Sequence, residues 1–305
     1  MSARVGIIGL GAMGRPMAAN LLDAGFELAV HNRSPGSAEE LAGRGAHLVD
    51  SPAGFANADF VITMVPDTPD VELIARELIP ALAEGSIWID MSTVSPVATR
   101  RLAAEVERHG AYLLDAPVSG GEQGAIDGTL SIMVGGVESA FERCAAVFKA
   151  LGRTVVHMGP SGSGQVTKAC NQIIVASAMQ AMAEALVLAE KAGIDLERLI
   201  EVLQGGLART AAMELRGQRA ARGDFEPGFR ARLHDKDLRI ALETGRSLDV
   251  PLPQAELAAQ LYDELVRSGR GDLDNSAVVD LLRERAGVNS AEAGSADPGG
   301  QAGDD

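Results

Sequence analysis

The sequence predicts an α/β fold, a doubly wound parallel sheet, followed by an all-α domain. Three observations carry this. Short β-branched runs alternate with longer helical patterns over the first half of the chain, a glycine-rich turn separates the first run from the first helix, and strand patterns stop at about Ser163. Alternating strand and helix patterns are the mark of βαβ units, whose crossovers build parallel sheets.

The strand candidates, in order, are Arg4–Ile8, Glu27–His31, Phe60–Thr63, Ser86–Asp90, Ala111–Ala116, Ser131–Val134 and Thr154–His157. Helical patterns such as Met13–Asp23 and Pro69–Leu82 lie between the early ones. From Gln165 to Lys191 there is neither proline nor glycine, and Gly193 supplies a stop, so this segment reads as one long helix. Its apolar excess on several sides makes it the spine of the second domain and a candidate subunit interface. Its most apolar part contains Gln180 and Glu184, which are costly in hydrocarbon, so the reading is a buried helix and no membrane partner. The N-terminus runs straight into a strand pattern without a secretory signal, and a cytoplasmic protein is expected.

A chain of 305 residues with 46% apolar side chains has material for two packed domains. The formal charge of -15 repels polyanions, which argues against nucleic-acid and anionic-membrane partners and requires a local positive site for any anionic substrate. Cys144 and Cys170 form no CxxC pair, and the five histidines are scattered, so neither a disulfide framework nor a metal site is expected.

Gly9, Gly11 and Gly14 have the G-x-G-x-x-G spacing between an apolar strand and a helix, with Leu10, Ala12 and Met13 filling the turn. Glycine there permits a tight turn and close backbone approach to a pyrophosphate at a helix N-terminus, the mark of a Rossmann-type nicotinamide site. After the second strand, where NAD(H) sites place a carboxylate on the ribose, stand Asn32, Arg33 and Ser34. Arg33 suits a 2′-phosphate, so NADP(H) is favoured and NAD(H) stays possible; the alternative is a solvated Arg33 with Asn32 on the ribose. Met64, Val65 and Pro66 follow the third long strand and Asp90 to Thr93 the next, at the carboxyl ends of strands, where such sheets bind ligands.

Ser119, Gly120 and Gly121 form either an anion nest for a carboxylate or a plain tight turn. Lys168, Asn171 and Gln172 fall at i, i+3 and i+4, on one helical face, so a proton donor sits with two amides. The alternative is a lysine that snorkels to solvent along its own stem.

Taken in order, the GLGAMG turn, the DAPVSGG loop, the GxGxxxK helix start and the LHDKDL run at Leu233–Leu238 resemble the β-hydroxyacid dehydrogenase family over residues 4 to 285. The resemblance implies a 6-phosphogluconate dehydrogenase-like fold, with a Rossmann domain at 1–163 and an all-helical substrate and oligomerisation domain at 164–290. Residues 291–305 are small, acidic and rich in Gly and Pro, so a disordered acidic tail is expected there. The resemblance also implies that Lys168 is the catalytic acid/base, with a pKa lowered by partial burial from the free value of about 10.4. Ser119, Gly120 and Gly121 would bind the substrate carboxylate, Asn171 and Gln172 would stand beside the lysine, and Val65, Pro66, Thr93 and Lys236 would contact the dinucleotide. Gln172 departs from the family, many members of which carry a second asparagine there. The implied substrate is a small anionic hydroxy acid or semialdehyde. The GGEQGAIDGTLSIMVGG, TKACNQIIVA, GGLA and PGFRARLHDKDL segments resemble members that reduce tartronate semialdehyde to D-glycerate, with oxidation of 3-hydroxyisobutyrate or reduction of another short-chain semialdehyde as the alternative. Imine-reducing relatives typically replace the lysine and non-catalytic chromatin-associated relatives have lost it, so Lys168 argues against both. Arg230 and Arg232 are either local positive groups near the cleft or solvated loop residues. A homodimer or homotetramer is expected.

Overall fold

A computed structural model of the chain describes residues 3–34 and 36–288, and the tail expected at 291–305 lies outside them. Two compact units emerge. One holds the chain up to Gln172 together with Arg239–Pro251, the other Ile173–Leu238 together with the chain from Leu252.

The first unit is built on a sheet. Strands β1 (Arg4–Ile8), β2 (Glu27–His31), β3 (His47–Leu48), β4 (Phe60–Thr63), β5 (Ile87–Asp90) and β6 (Tyr112–Asp115) are parallel and lie in the order β3-β2-β1-β4-β5-β6. This is the doubly wound dinucleotide-binding order, which reverses between β1 and β4. β7 (Val118–Ser119) and β6 pair antiparallel with β8 (Leu130–Gly135), and β9 (Gly152–Gly159) pairs parallel with β8.

Strand alternation sends successive side chains to opposite faces. On one face Val5, Ile7, Val30, Ile62 and Ile89 pack with Met17 and Leu21 of α1 (Gly14–Asp23), Leu41 of α2 (Gly36–Gly43), and Val147 and Phe148 further along. On the other Ile8, Val61, Trp88 and Leu113 pack with Val71 and Leu78 of α3 (Thr68–Leu78) and Leu102 and Val106 of α4 (Pro96–Arg108). Because both faces are covered, β4 and β5 are buried along their whole length, which is why they read as continuous apolar runs. α4 starts where Ser95 caps it and Pro96 takes a position that needs no donor. The helix expected to run to Leu82 ends as α3 at Leu78 and tightens into a 3₁₀ turn over Ile79–Ala81, since Pro80 cannot supply a backbone donor. Three short helices, α5 (Gly121–Ile126), α6 (Glu138–Arg143) and α7 (Ala145–Leu151), complete the sheet connections.

α8 (Ser163–Lys191) is continuous over 29 residues and begins two residues before the expected start, through Gly164. A Cβ at Gly164 would lie 2.6 Å from the Asp115 carbonyl oxygen, so glycine lets the helix begin flat against the sheet. By length and composition α8 could cross a membrane, with a mean hydropathy of 1.6 over its most apolar window. Its Gln165, Lys168 and Gln172 are instead buried on protein partners.

The second unit takes the rest of α8 with α9 (Leu196–Gln204), α10 (Ala211–Ala221), α12 (Pro253–Leu265), α13 (Val278–Ala286) and the first half of α11 (Ala231–Ser247). Arg283, 2% exposed, ties three of these helices: Nε donates to Glu190 Oε2 at 2.7 Å, and the two terminal nitrogens donate to the carbonyls of Ala220 and Ala221 at 3.2 and 2.9 Å.

Candidate active site

The carboxyl ends of β1 and β4 meet at the reversal of strand order. Gly9 follows β1 with φ +96° and donates its N–H to the His31 carbonyl at 3.0 Å. A Cβ there would lie 2.9 Å from Val65 Cγ1 and 3.0 Å from the Met64 carbonyl carbon. At Gly14, which opens α1, a Cβ would lie 3.0 Å from the Gly9 carbonyl carbon and closer still to its oxygen. Gly11 and Ala12 are exposed, Met13 is half-buried and Leu10 is buried. The first N–H groups of a helix have no intrahelical partner, so the turn offers backbone donors at the positive end of the helix dipole. Side chains at Gly9 and Gly14 would strike neighbouring backbone, so glycine keeps this cradle tight, and its backbone donors at a helix N-terminus fit the diphosphate of a dinucleotide.

Asn32 braces the cradle: Oδ1 accepts from Leu10 N at 3.1 Å, and Nδ2 donates to the Ser34 carbonyl at 2.7 Å. Arg33 and Ser34 beside it are exposed. The loop of Met64, Val65 and Pro66 is joined to the loop after β5, because Val65 N donates to Ser92 Oγ at 3.0 Å. Thr93, the next residue, is half-buried.

Thr63, Asp90 and Asp115 are register partners across β4, β5 and β6, which brings two carboxylates to neighbouring places at the sheet's carboxyl end. Asp90 Oδ1 accepts from Thr63 Oγ1 at 2.7 Å and from Ser92 N at 3.2 Å. Asp115 Oδ1 accepts from Gly162 N at 2.7 Å and Oδ2 from Gln165 N at 3.0 Å, so this carboxylate caps α8 from the sheet. Burial raises Asp90 to about 6 against the hydrogen bonds of Thr63 and Ser92, with the charge of Asp115 adding to the rise. Burial likewise raises Asp115 to about 6 against the hydrogen bonds of the Gly162, Gln165 and Gly164 amides. Gln165 completes the frame, Oε1 accepting from Val94 N at 3.1 Å and Nε2 donating to the Ser92 carbonyl at 2.9 Å.

One turn along α8, the side chains of Lys168, Asn171 and Gln172 meet as their spacing predicts. Lys168 is 7% exposed, and its Nζ donates to Asn171 Oδ1 at 3.4 Å and Gln172 Oε1 at 3.2 Å. Ser119 ends β7 half-buried, and Gly120 and Gly121 follow with φ of +135° and +63°. Two successive positive φ values turn the chain as few other residues allow, and both glycines are exposed. Lys236 lies in the helical unit, 8% exposed, with Nζ 2.9 Å from Asp237 Oδ1. Arg230 and Arg232, read as candidate positive groups, are both committed to Asp272, Arg230 at 2.7 Å, and their guanidinium groups hold that carboxyl below its usual range.

The sequence pattern puts Asp90 and Asp115 at the ends of strands without marking either as a site residue, and it gives Gln165 no role. The signal available was a carboxylate closing an otherwise apolar strand, twice.

Comparisons with known proteins agree with this architecture. Residues 4–159 match the NAD-binding domain of 6-phosphogluconate dehydrogenase, and residues 162–282 match the NAD-binding model of NADP-dependent 3-hydroxyisobutyrate dehydrogenase. The chain is 43% identical to the 2-hydroxy-3-oxopropionate reductase of Escherichia coli (strain K12), over 92% of this chain and 97% of that protein. It is 36% identical to the 2-(hydroxymethyl)glutarate dehydrogenase of Eubacterium barkeri, over 94% and 97%. A solved structure of Mycobacterium tuberculosis 3-hydroxyisobutyrate dehydrogenase with L-serine superposes with a TM-score of 0.86 at 36% identity, covering 93% of this chain and all of that one. The chain therefore belongs to the β-hydroxyacid dehydrogenase family and is an NAD(P)-dependent oxidoreductase acting on hydroxy acids or their semialdehydes.

Proposed function

We propose that this enzyme reduces tartronate semialdehyde to D-glycerate, with NADP(H) favoured over NAD(H), and that Lys168 is its acid/base. The observation that carries the reading is the buried Lys168, whose Nζ donates to the Asn171 and Gln172 amide oxygens. The 43% identity to a 2-hydroxy-3-oxopropionate reductase supports this substrate. The TM-score of 0.86 to a 3-hydroxyisobutyrate dehydrogenase supports methylmalonate semialdehyde as the second reading.

Gly9 to Gly14 would hold the diphosphate, Asn32, Arg33 and Ser34 the adenosine ribose and its 2′-phosphate, and Met64, Val65, Pro66, Thr93 and Lys236 the remainder of the dinucleotide. Bound there, the nicotinamide supplies a hydride to the carbonyl carbon. Ser119 Oγ and the Gly120 and Gly121 amides hold the substrate carboxylate, which orients the carbonyl. Lys168 donates a proton from Nζ to the carbonyl oxygen as charge develops on it, and in the oxidative direction the neutral amine takes the hydroxyl proton. Asn171 and Gln172 orient the ammonium by accepting two of its N–H groups and supply polar partners for the substrate 2-hydroxyl.

The same reading makes the protein a cytoplasmic homodimer or homotetramer, supported by exposed Val202, Leu207 and Leu215 on the helical unit. The test is a panel of semialdehydes assayed by NADPH oxidation. Tartronate semialdehyde should exceed methylmalonate and succinate semialdehydes in kcat/KM by at least about tenfold, because replacing the hydroxyl by methyl leaves site groups unpaired. A higher kcat/KM for methylmalonate semialdehyde overturns the substrate while leaving the family intact.

A further inference from the structure

The first turn of α8 is fastened to the sheet by side chains, and those side chains belong to residues 47 to 73 positions apart in sequence. Asp115 supplies the helix cap with a carboxylate of 0% exposure, one oxygen on Gly162 N at 2.7 Å and the other on Gln165 N at 3.0 Å. Gln165, 1% exposed, spends both ends of its amide on the loop after β5, on Val94 N and the Ser92 carbonyl. Ser92 in turn accepts from Val65 N, so an unbroken chain of hydrogen bonds runs from the loop after β4, through the loop after β5, to the helix that carries Lys168 three residues beyond Gln165.

The fit is also steric. A Cβ at Gly135 would stand 2.6 Å from Asp115 Oδ1, and one at Gly164 would stand 2.9 Å from Asp115 Oδ2, so β8 and α8 close on the carboxylate from two sides. Nothing in this arrangement has room to slide. A carboxylate is the right group for it: both oxygens accept, both partners are backbone donors at a helix N-terminus, and the negative charge faces the positive end of the dipole.

We infer that Asp115 and Gln165 are positioning residues for the reaction, acting through Lys168 by setting the depth and rotation of the first turn of α8 against the loops after β4 and β5. The inference rests on Lys168 being the acid/base. Asp115→Asn is nearly isosteric, yet it turns one acceptor into a donor that faces a backbone N–H, so the turn must shift while the fold keeps its volume. A shift of about 1 Å at a reacting group is enough to cost up to about 100-fold in rate.

The test is a double-mutant cycle in the full-length protein, with kcat, KM for the semialdehyde, NADPH affinity by fluorescence titration, and thermal melting. Asp115→Asn in the wild-type background should lower kcat by about 10- to 100-fold, with NADPH affinity within about twofold of wild type. In the Lys168→Ala background the same change should lower kcat by less than about twofold, because the group it positions is gone. Equal losses in both backgrounds, or no loss in the wild type, overturn the inference. Near-wild-type turnover of Lys168→Ala alone overturns the acid/base reading itself, and with it this inference, so the two failures are told apart by the single variant. If Asp115→Asn does not fold, Gln165→Ala enters the same cycle with the same expected pattern, and Gln165→Asn should recover part of the loss by keeping one amide within reach of the loop.

Discussion

The glycine cradle makes a prediction that separates binding from folding, through two methyl groups placed three residues apart. At Gly14 an added Cβ would sit 3.0 Å from the Gly9 carbonyl carbon and closer to its oxygen, and both are backbone atoms that cannot swing away. Relief requires α1 to retreat from the turn by about 1 Å, and overpacking of this kind costs about 1–3 kcal/mol. At Gly11 an added Cβ meets nothing within 4 Å, so Gly11→Ala should fold with stability within about 0.5 kcal/mol of wild type. Its methyl, however, projects from the exposed turn at the helix N-terminus, where a diphosphate needs close backbone approach. The expected result is that Gly14→Ala loses both melting temperature and NADPH affinity, while Gly11→Ala keeps the first and loses about tenfold in the second, equivalent to about 1.4 kcal/mol. Calorimetric titration with NADPH alongside thermal melting reads both quantities. Wild-type NADPH affinity in Gly11→Ala would refute the assignment of this turn to the diphosphate.

Three further outcomes are expected. Lys168→Ala should lower turnover by about two to four orders of magnitude with NADPH affinity near normal, read by steady-state kinetics and titration, and near-wild-type turnover would contradict the acid/base role. Arg33→Ala should erode the preference for NADPH over NADH chiefly through the Michaelis constant for NADPH; equal efficiency of the two cofactors in the wild type would remove the basis for that reading. Asp90 and Asp115 titrate near 6 in the fold against 3.8 unfolded, so the folded state binds more protons between those values: their stabilisation is present below 3.8 and is lost as pH rises through 6. Going from pH 7 to pH 5 should therefore add about 1 kcal/mol from each, seen as a rise in melting temperature that Asp90→Asn roughly halves. A melting temperature that falls steadily over that interval, or a rise that Asp90→Asn leaves unchanged, would contradict this account.

What was legible in the sequence is what local geometry decides. Helical periodicity places Lys168, Asn171 and Gln172 on one face wherever the helix goes, and the glycine spacing specifies a turn before α1 whatever follows. The sheet was legible for a related reason, since strands covered on both faces, such as β4 and β5, read as continuous apolar runs. β3 and β7 were not, because a strand of two residues has no period to detect. The sequence pattern starts α8 two residues late because Gly164 reads as a breaker, although here its missing Cβ is what admits the helix to the sheet.

Asp90 and Asp115 share one property that a linear sequence hides: their meaning depends on register. Asp90 and Asp115 are each a single acid after an apolar run, and only the pairing of β5 with β6 puts them side by side. Once they are neighbours, burial raises both and the two cannot be treated alike. Asp90 spends its hydrogen bonds within the sheet and the loop that follows it, whereas Asp115 spends its own on α8. A buried carboxylate is costly unless donors surround it, and the donors that repay this cost at Asp115 are the amides at the start of the lysine-bearing helix. The hydrogen bonds that oppose the burial penalty at Asp115 are thus the same ones that hold the start of α8 in place. A change at Asp115 should accordingly be felt at Lys168 before it is felt in the sheet, which is why a kinetic cycle, and not a melting curve alone, is the measurement that reads it.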